Sequence, residues 1–436
     1  MKRLIFALLI FVSANAYSQR LLTVEEAVAT ALQNNYDIRL SRNDSMVAAL
    51  DYSYRNAAFL PTLNGTVGTL WNNNNQRQTL ADGSKREQNN LKSSNVNAQL
   101  ALNWTLFDGL KMFATRDRAE ELVTLGGLTV KNQMINTVAD VVANYYNIVA
   151  QKQQLIAIRE QMGVNEERVK LAQNRLDIGV GAKPDVLQSR VDLNAQKANI
   201  LTQETLIEQL KEQLNQLMNV PVGTKYDVVD SIPINIGIGL GEIQNDIENN
   251  NPQLQIAQKN VDIANIILRE RKAEQFPTVS FNSLYNFSRT DNKAVINPFS
   301  PLFNQNSGLN FGFSVSVPIL NYFNTRRQIR QARLDINYQK LIFENQRSLV
   351  NLNVVNAFIA YEQQKKALAL EEENILLARE NVAIILEVFR LGATTIIQLR
   401  EAQQSLQEAY TRLITARYNT KLSETELLRL KGDIIR

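Results

Sequence analysis

The sequence contains no cysteine and no histidine in 436 residues. That removes disulfides, thiolate and imidazole metal cages, histidine general bases and serine–histidine triads. It also leaves no residue to carry a lipobox lipid anchor. There is no Walker-type phosphate loop, and no GxGxxG opens a helix after a strand. An excess of one charge is lacking too. Lys and Arg number 47 against 43 Asp and Glu, a net +4, so no nucleic-acid partner is expected. No nucleophile–base pair or acidic cluster stands out, so neither an enzyme nor a cofactor nor a bound metal is expected. Past residues 4–12, no apolar run approaches the ~18 residues of a membrane helix.

What is present begins at the N-terminus. Lys2 and Arg3 precede the apolar run Leu4–Val12, and "SANAYSQ" follows. A charged n-region, an apolar h-region and a small-residue cleavage site read as a signal peptide over residues 1–18, with Gln19 the mature start. An apolar content of 44% is enough for a folded chain. If an exported chain with no membrane helix enters a membrane, it must cross as strands.

The chain then repeats itself. Asn35 in "ALQNNYDIRL" matches Asn251 in "IENNNPQLQI", and Pro61 matches Pro277, both 216 residues apart. Asp108 in "WTLFDG" matches Asn321 in "VPILNY", and Gly179 matches Gly392, both 213 apart. The expected organisation is a first repeat over 19–220, a Pro- and Gly-bearing connector over 221–241, and a second repeat over 242–436. Each repeat reads as helix, strand, loop, strand, very long helix, short turn and helix.

Residues 96–106 alternate strictly: Val96, Ala98, Leu100, Leu102, Trp104 and Leu106 against Asn97, Gln99, Ala101, Asn103 and Thr105. Residues 309–318 do the same, and looser alternation at 62–70 and 278–287 supplies a partner for each. The residues between, 71–95 and 289–307, read as polar loops. An uncharged polar face of Asn, Gln, Ser, Thr and Gly, opposite an apolar and aromatic-rich face, is the pattern of an outer-membrane barrel strand. Four strands cannot close a barrel, and open edges are not tolerated in lipid. Two chains would make eight strands and three would make twelve. Trp71, Trp104, Tyr322 and Phe323 stand at strand ends, where aromatics anchor bilayer interfaces or pack a helix–barrel junction.

Long helices are expected over 109–177 and 322–391, followed by helices over 185–218 and 396–431. Heptad spacing runs through Val186, Leu193, Ile200, Ile207 and Leu214, and again through Leu399, Leu406, Leu413, Thr420 and Leu427. The long helix carries Leu128, Ile135, Val142, Val149 and Ile156, and its copy is read as Leu370, Leu377, Ile384 and Leu391. Sustained sevens mean coiled-coil packing, so each turn joins two antiparallel helices into a hairpin.

Taken with "LLTVEEAVATALQNNYDI", "FLPTL", "FPTV" and "LFDG", the ordered repeat resembles the TolC-like outer-membrane efflux proteins of Gram-negative bacteria over essentially the whole mature chain. The resemblance implies a mixed α and β membrane protein. Four strands per chain would join a trimeric twelve-stranded β-barrel, continued by a long α-helical coiled-coil periplasmic barrel. It implies a passive exit duct of a tripartite efflux pump or type I secretion system, set in outer-membrane lipid as a homotrimer. Its partners would be a periplasmic adaptor (membrane fusion) protein and an inner-membrane transporter of the RND, ABC or MFS type.

The resemblance also places the two turns at the periplasmic tips. Ile178, Gly179 and Val180, with Leu391, Gly392 and Ala393, stand where the family carries a Val-Gly-Leu-like adaptor motif. In well-studied members, acidic residues six and nine positions after the second glycine ring the closed aperture. Those places hold Gln398 and Glu401 here, and Asp185 stands six after the first glycine. Glu401 and Asp185 are therefore the expected source of cation selectivity. The competing expectation is an exported trimeric coiled-coil structural or adhesive surface protein. It would share the heptads and the signal peptide but has no use for four alternating strands.

Overall fold

The computed structural model describes residues 21–297 and 299–434, apart from the side chains of residues 242, 245 and 246. The expected signal peptide and its cleavage point at Gln19 lie outside the described residues. The chain runs through β1 (Leu21–Leu22), α1 (Val24–Asn34), α2 (Tyr36–Ser53), β2 (Thr62–Thr79), β3 (Lys85–Phe107), α3 (Lys111–Asp177) and α4 (Lys183–Met218). It continues through β4 (Asp227–Val228), α5 (Leu240–Asn250), α6 (Pro252–Ala273), β5 (Thr278–Asn292), β6 (Phe303–Ser316), α7 (Asn324–Arg390) and α8 (Ile396–Lys431).

Element lengths recur with the sequence offset. The helices α3 and α7 each have 67 residues, and α4 and α8 each have 36. At 1.5 Å per residue, 67 residues make a helix of about 100 Å. The two compact units of the fold cut across these repeats. One comprises residues 46–125 with 258–341; the other comprises the described residues up to Ser45, then 126–257 and 342 onward.

The first unit holds a four-stranded sheet in the order β2-β3-β5-β6, antiparallel throughout. The strands are longer than their apolar alternation. β2 continues to Thr79 and β3 begins at Lys85, so most of the expected loop 71–95 is an extended ribbon around a turn at residues 80–84. Likewise β5 runs to Asn292 and β6 starts at Phe303, which shortens the expected loop 289–307. Past Trp71 neither face is apolar, so hydrophobic alternation no longer marks strand there, although the backbone ladder carries on.

The register sorts the side chains by face. Leu63 pairs with Leu102, Trp104 with Phe281, Tyr285 with Leu309 and Phe281 with Phe313, all on one side. This side is open: Val67, Phe311 and Phe313 are 76%, 73% and 72% exposed. The opposite side is a polar ladder. Gln99 donates to Thr66 (3.2 Å), Asn282 to Ser314 (2.8 Å) and Asn310 to Asn286 (3.3 Å). Strand passes to helix at Gly109, whose φ is +75° and whose added Cβ would lie 2.3 Å from the Ala273 carbonyl oxygen. The Asp108 carboxylate then accepts from the Met112 N–H and opens α3. Trp104 Nε1 donates to the Phe59 carbonyl at 2.8 Å, so this residue is tied to the junction. Trp71, Tyr322 and Phe323 are exposed.

The second unit is helical, with two cores built from matching positions. Ala27, Ala31, Val141, Ile148 and Leu214 form one. Ile243, Ile247, Val354, Tyr361 and Leu427 form the other. Asn35 and Asn251 do the same work in each. Their side-chain amides donate to Leu217 O (2.8 Å) and Leu430 O (2.9 Å), and their Oδ1 atoms accept from the N–H groups that start α2 and α6. The connector is pinned, not loose. β4 pairs in parallel with β1, and Lys152 Nζ donates to Asp227 (2.8 Å) and Val228 O (2.8 Å) and pairs with Asp230 (2.7 Å).

The heptads of α8 are buried, from Leu399 at 0% exposure to Leu427 at 0%. The stripe read on α7 is not. Leu370, Leu377, Ile384 and Leu391 are 54–84% exposed. Aligning the equal-length helices sets Leu341, Ser348, Val355, Glu362 and Ala369 opposite Leu128 through Ile156. The expected stripe lies one residue later, turned by about 100° away from that face. Buried positions on α7 include Val350, Val354, Tyr361, Ile375 and Val382.

Candidate functional site

The two hairpin turns end α3 and α7 by the same backbone device. At the first, Gly179 has φ +80°, its N–H donates to Leu176 O (3.0 Å), and Val180 N–H donates to Arg175 O (3.0 Å). At the second, Gly392 has φ +79°, its N–H donates to Phe389 O (3.1 Å), and Ala393 N–H donates to Val388 O (3.1 Å). Both are Schellman caps, which need a left-handed residue where side chains are disfavoured. In the first turn, Gly181 is also fixed by space, since an added Cβ would meet Arg175 and Leu176 at 2.8 Å.

The turns present apolar knobs. Ile178 and Val180 are each 73% exposed and Leu391 is 84% exposed. Apolar side chains held on a capped backbone and facing solvent are suited to a protein partner.

The helices leaving the turns start differently. α4 starts at Lys183 behind Ala182 with no side-chain cap; Pro184 and Asp185 stand in its first turn, and the half-buried Asp185 places a negative charge where it suits the helix dipole. The start of α8 is a capping box. Gln398 N–H donates to Thr395 Oγ1 (3.3 Å), and Thr395 N–H donates to Gln398 Oε1 (3.4 Å). Gln398 Oε1 also accepts from Thr394. The residue at the first of the two acidic places is thus engaged in helix initiation. Glu401, one turn on, is exposed.

Contacts between the hairpins were not legible as motifs. Arg175 reaches from α3 to the Phe389 carbonyl (2.5 Å), and its guanidinium carbon lies 4.5 Å from the Phe389 ring centroid. Arg390 returns from α7 to Glu167 at 3.6 Å. Both arginines lie in last turns of long helices, where cations suit the dipole; that was the one available signal. Further along, Tyr410 of α8 donates to Glu160 Oε2 (2.5 Å) and accepts from Arg379 Nη2 (2.6 Å). Burial pushes the Tyr410 hydroxyl pKa up, and the bond to Glu160 adds to that. No cluster of acidic side chains able to hold a metal exists among the described residues.

Comparison with known proteins bears on the family and the fold. The sequence model for "outer membrane efflux protein" matches residues 27–220 and again 244–433. The chain is 21% identical to the outer membrane efflux protein BepC of Brucella suis biovar 1 (strain 1330), covering 94% of this chain and 85% of that one. It is 23% identical to the cation efflux system protein CusC of Escherichia coli (strain K12), covering 94% and 86%. Among solved structures, the Campylobacter jejuni CmeC outer membrane channel superposes with a TM-score of 0.76 at 15% identity, covering 94% of this chain and 85% of that chain. The channel OprN gives 0.76 at 17% identity, covering 94% and 90%. With the family match spanning nearly all of the described chain, in two copies, this protein belongs to the outer membrane efflux protein family.

Proposed function

We propose that three copies of this chain close their sheets into one twelve-stranded barrel in the outer membrane and form the passive exit duct of a tripartite efflux pump or secretion system. The observation that carries this is the sheet itself. β2 and β6 end it with unpaired edges, one face is apolar and exposed, and the other is an uncharged polar ladder. In lipid an unpaired edge leaves backbone groups unsatisfied at several kcal/mol each, so the edges must meet those of other copies. The polar ladder then faces the lumen and the apolar face meets lipid. The exposed Leu370–Leu391 stripe on α7 supports the same assembly, as a surface for a neighbouring helix.

The tips take the adaptor through Ile178, Gly179, Val180, Leu391, Gly392 and Ala393, and an inner-membrane transporter supplies the energy. Glu401 and Asp185 line the aperture, where threefold repetition turns each carboxylate into a cation-favouring ring. Gln398, whose amide oxygen is held by Thr394 and Thr395, adds no charge there. Arg175 and Arg390 hold the hairpins together beside the opening.

Purified protein in a planar bilayer tests the reading. Conductance by a cross-linkable trimer is expected, rising when Arg175→Gln removes the clasp on Phe389. A trimer that stays silent with its tips loosened would sink it. Glu401→Gln with Asp185→Asn is expected to lower cation selectivity; unchanged selectivity removes these two residues from the aperture.

A further inference from the structure

Inside each chain the two repeats meet along a seam between α3 and α8. Ala157 of α3 is buried in one cluster with Ala402, Leu406 and Leu413 of α8. Around it the seam is held by polar bonds. Gln154 Nε2 donates to Thr411 Oγ1 (3.2 Å), Gln161 Nε2 to Gln403 O (3.1 Å) and Arg168 Nη1 to Gln403 Oε1 (3.1 Å). Tyr410 adds its bonds to Glu160 and Arg379. Arg400 and Gln404 line one groove with Gln161 and Arg168, and Ile414 lines another with Ala157.

The repeat gives each side of this seam a counterpart 213 residues away. On α7, Leu370, Leu377 and Ile384 are the counterparts of Ala157, Val164 and Leu171 of α3. On α4, Leu187, Val191 and Leu201 are the counterparts of Arg400, Gln404 and Ile414 of α8. The stripe on α7 is therefore the face with which a first-repeat helix holds its neighbour. Both counterpart faces are open: the three α7 residues are 54–63% exposed and the three α4 residues 52–66%. Two apolar faces that would be partners under the repeat are left without each other, because the chain ends after two repeats.

The charges transfer as well. Glu160 and Tyr410 become Glu373 and Lys197, both exposed and neither in an ion pair among the described residues. A hydroxyl–carboxylate contact inside the chain thus becomes a lysine opposite a glutamate. Arg175 and Phe389 become Val388 and Leu176, an apolar pair. One counterpart is adverse. Glu167 with Arg390 becomes Glu380 with Asp177, two carboxylates beside the tips.

We propose that α7 of each copy docks on α4 of the next. Leu370, Leu377 and Ile384 lie along the neighbouring copy's Leu201, Val191 and Leu187, and Glu373 pairs with its Lys197. The contact is head to tail, and such contacts close into a ring when the rotation allows it. The helical wall then alternates polar seams within chains and apolar seams between them. Apolar area removed from water supplies the attraction, and the ion pair fixes the register. The proposal rests on the three-copy assembly above and adds which faces meet and in what register.

The chain has no cysteine, so introduced thiols report without background. Glu373→Cys with Lys197→Cys in the full-length protein, treated in membranes with a short bis-maleimide, is expected to give covalent dimers and trimers on denaturing gels. Glu373→Cys with Arg190→Cys, two turns (~10 Å) off register, is expected to link at least ten-fold less. Native gels of the same samples separate two kinds of failure. Trimers that do not link through Lys197→Cys, or that link equally through Arg190→Cys, overturn this seam and leave the duct standing, with the α7 face open to another occupant such as the adaptor. A folded chain that forms no trimer overturns the duct and the seam together.

Discussion

Gly179 and Gly392 hold left-handed backbone at φ +80° and +79°, and Gly109 holds it at +75°. They differ in what an alanine would meet. At Gly179 there is open space, so the cost is the conformational one, about 1–2 kcal/mol. Gly179→Ala with Gly392→Ala is expected to loosen both tips and damage export, while trimers still reach the outer membrane on native gels. At Gly109 a Cβ would press on the Ala273 carbonyl, so Gly109→Ala is expected to lower the yield of assembled protein far more. Gln398 gives a second test. Gln398→Glu keeps the capping box and adds a carboxylate, so the cation preference of the channel is expected to rise with thermal stability unchanged. Gln398→Ala loses the box, about 1 kcal/mol, without that change in selectivity. The two tip glycines were readable from composition, because a glycine interrupting a long helical pattern has few other uses. Arg175 was not, because a lone arginine among 47 basic residues carries no sign that it will stack on Phe389.

At the scale of elements, the connector is the part most exposed to pH. Lys152 bonds Asp227, Val228 O and Asp230. Burial opposes the charged carboxylate of Asp227, but the bonds from Lys152 and Val228 N–H outweigh it and hold the pKa below the usual range. The same partners outweigh burial at Lys152 and raise its pKa. The Asp227 contribution is therefore complete above the ordinary carboxylate pKa of about 4 and is lost as pH falls through the lower folded value. The Lys152 contribution is lost only as pH rises beyond its raised value. Limited proteolysis is expected to open residues 221–239 in acid and to be flat near neutrality. Asp227→Asn is expected to show the acid pattern already at pH 7. The long and shorter helix of each repeat and the heptads of α4 and α8 were legible, because buried spacing persists over many turns, but the single helix expected before each first strand is two, split at Asn35 and Asn251. Strand ends were not: beyond Trp71 both faces of the β2–β3 ribbon are polar, and backbone pairing leaves no trace in side-chain pattern. The α7 stripe was misread as the counterpart of the α3 spacing because a single chain's sequence does not distinguish apolar residues packed inside it from those left open on its surface.

For the whole molecule, the sheet faces separate two kinds of substitution. Leu309→Arg, level with Tyr285 and Leu100 in the middle of the apolar alternation, places a charge on the lipid side at a cost of about 2–4 kcal/mol, so fewer trimers are expected in outer-membrane fractions. Asn310→Arg, on the polar side, is expected to leave trimer yield intact and shift ion selectivity toward anions in bilayer recordings. The unpaired edges at β2 and β6 also reach beyond biophysics into genetics. No subunit completes its own wall, so each duct inherits the faults of every member. If defective and sound chains are made in equal amounts and mix freely, only about one trimer in eight is free of a defective chain. A tip allele such as Gly179→Ala with Gly392→Ala is therefore expected to behave as a dominant-negative when expressed beside the wild type. A Gly109→Ala chain that never assembles is expected to be recessive.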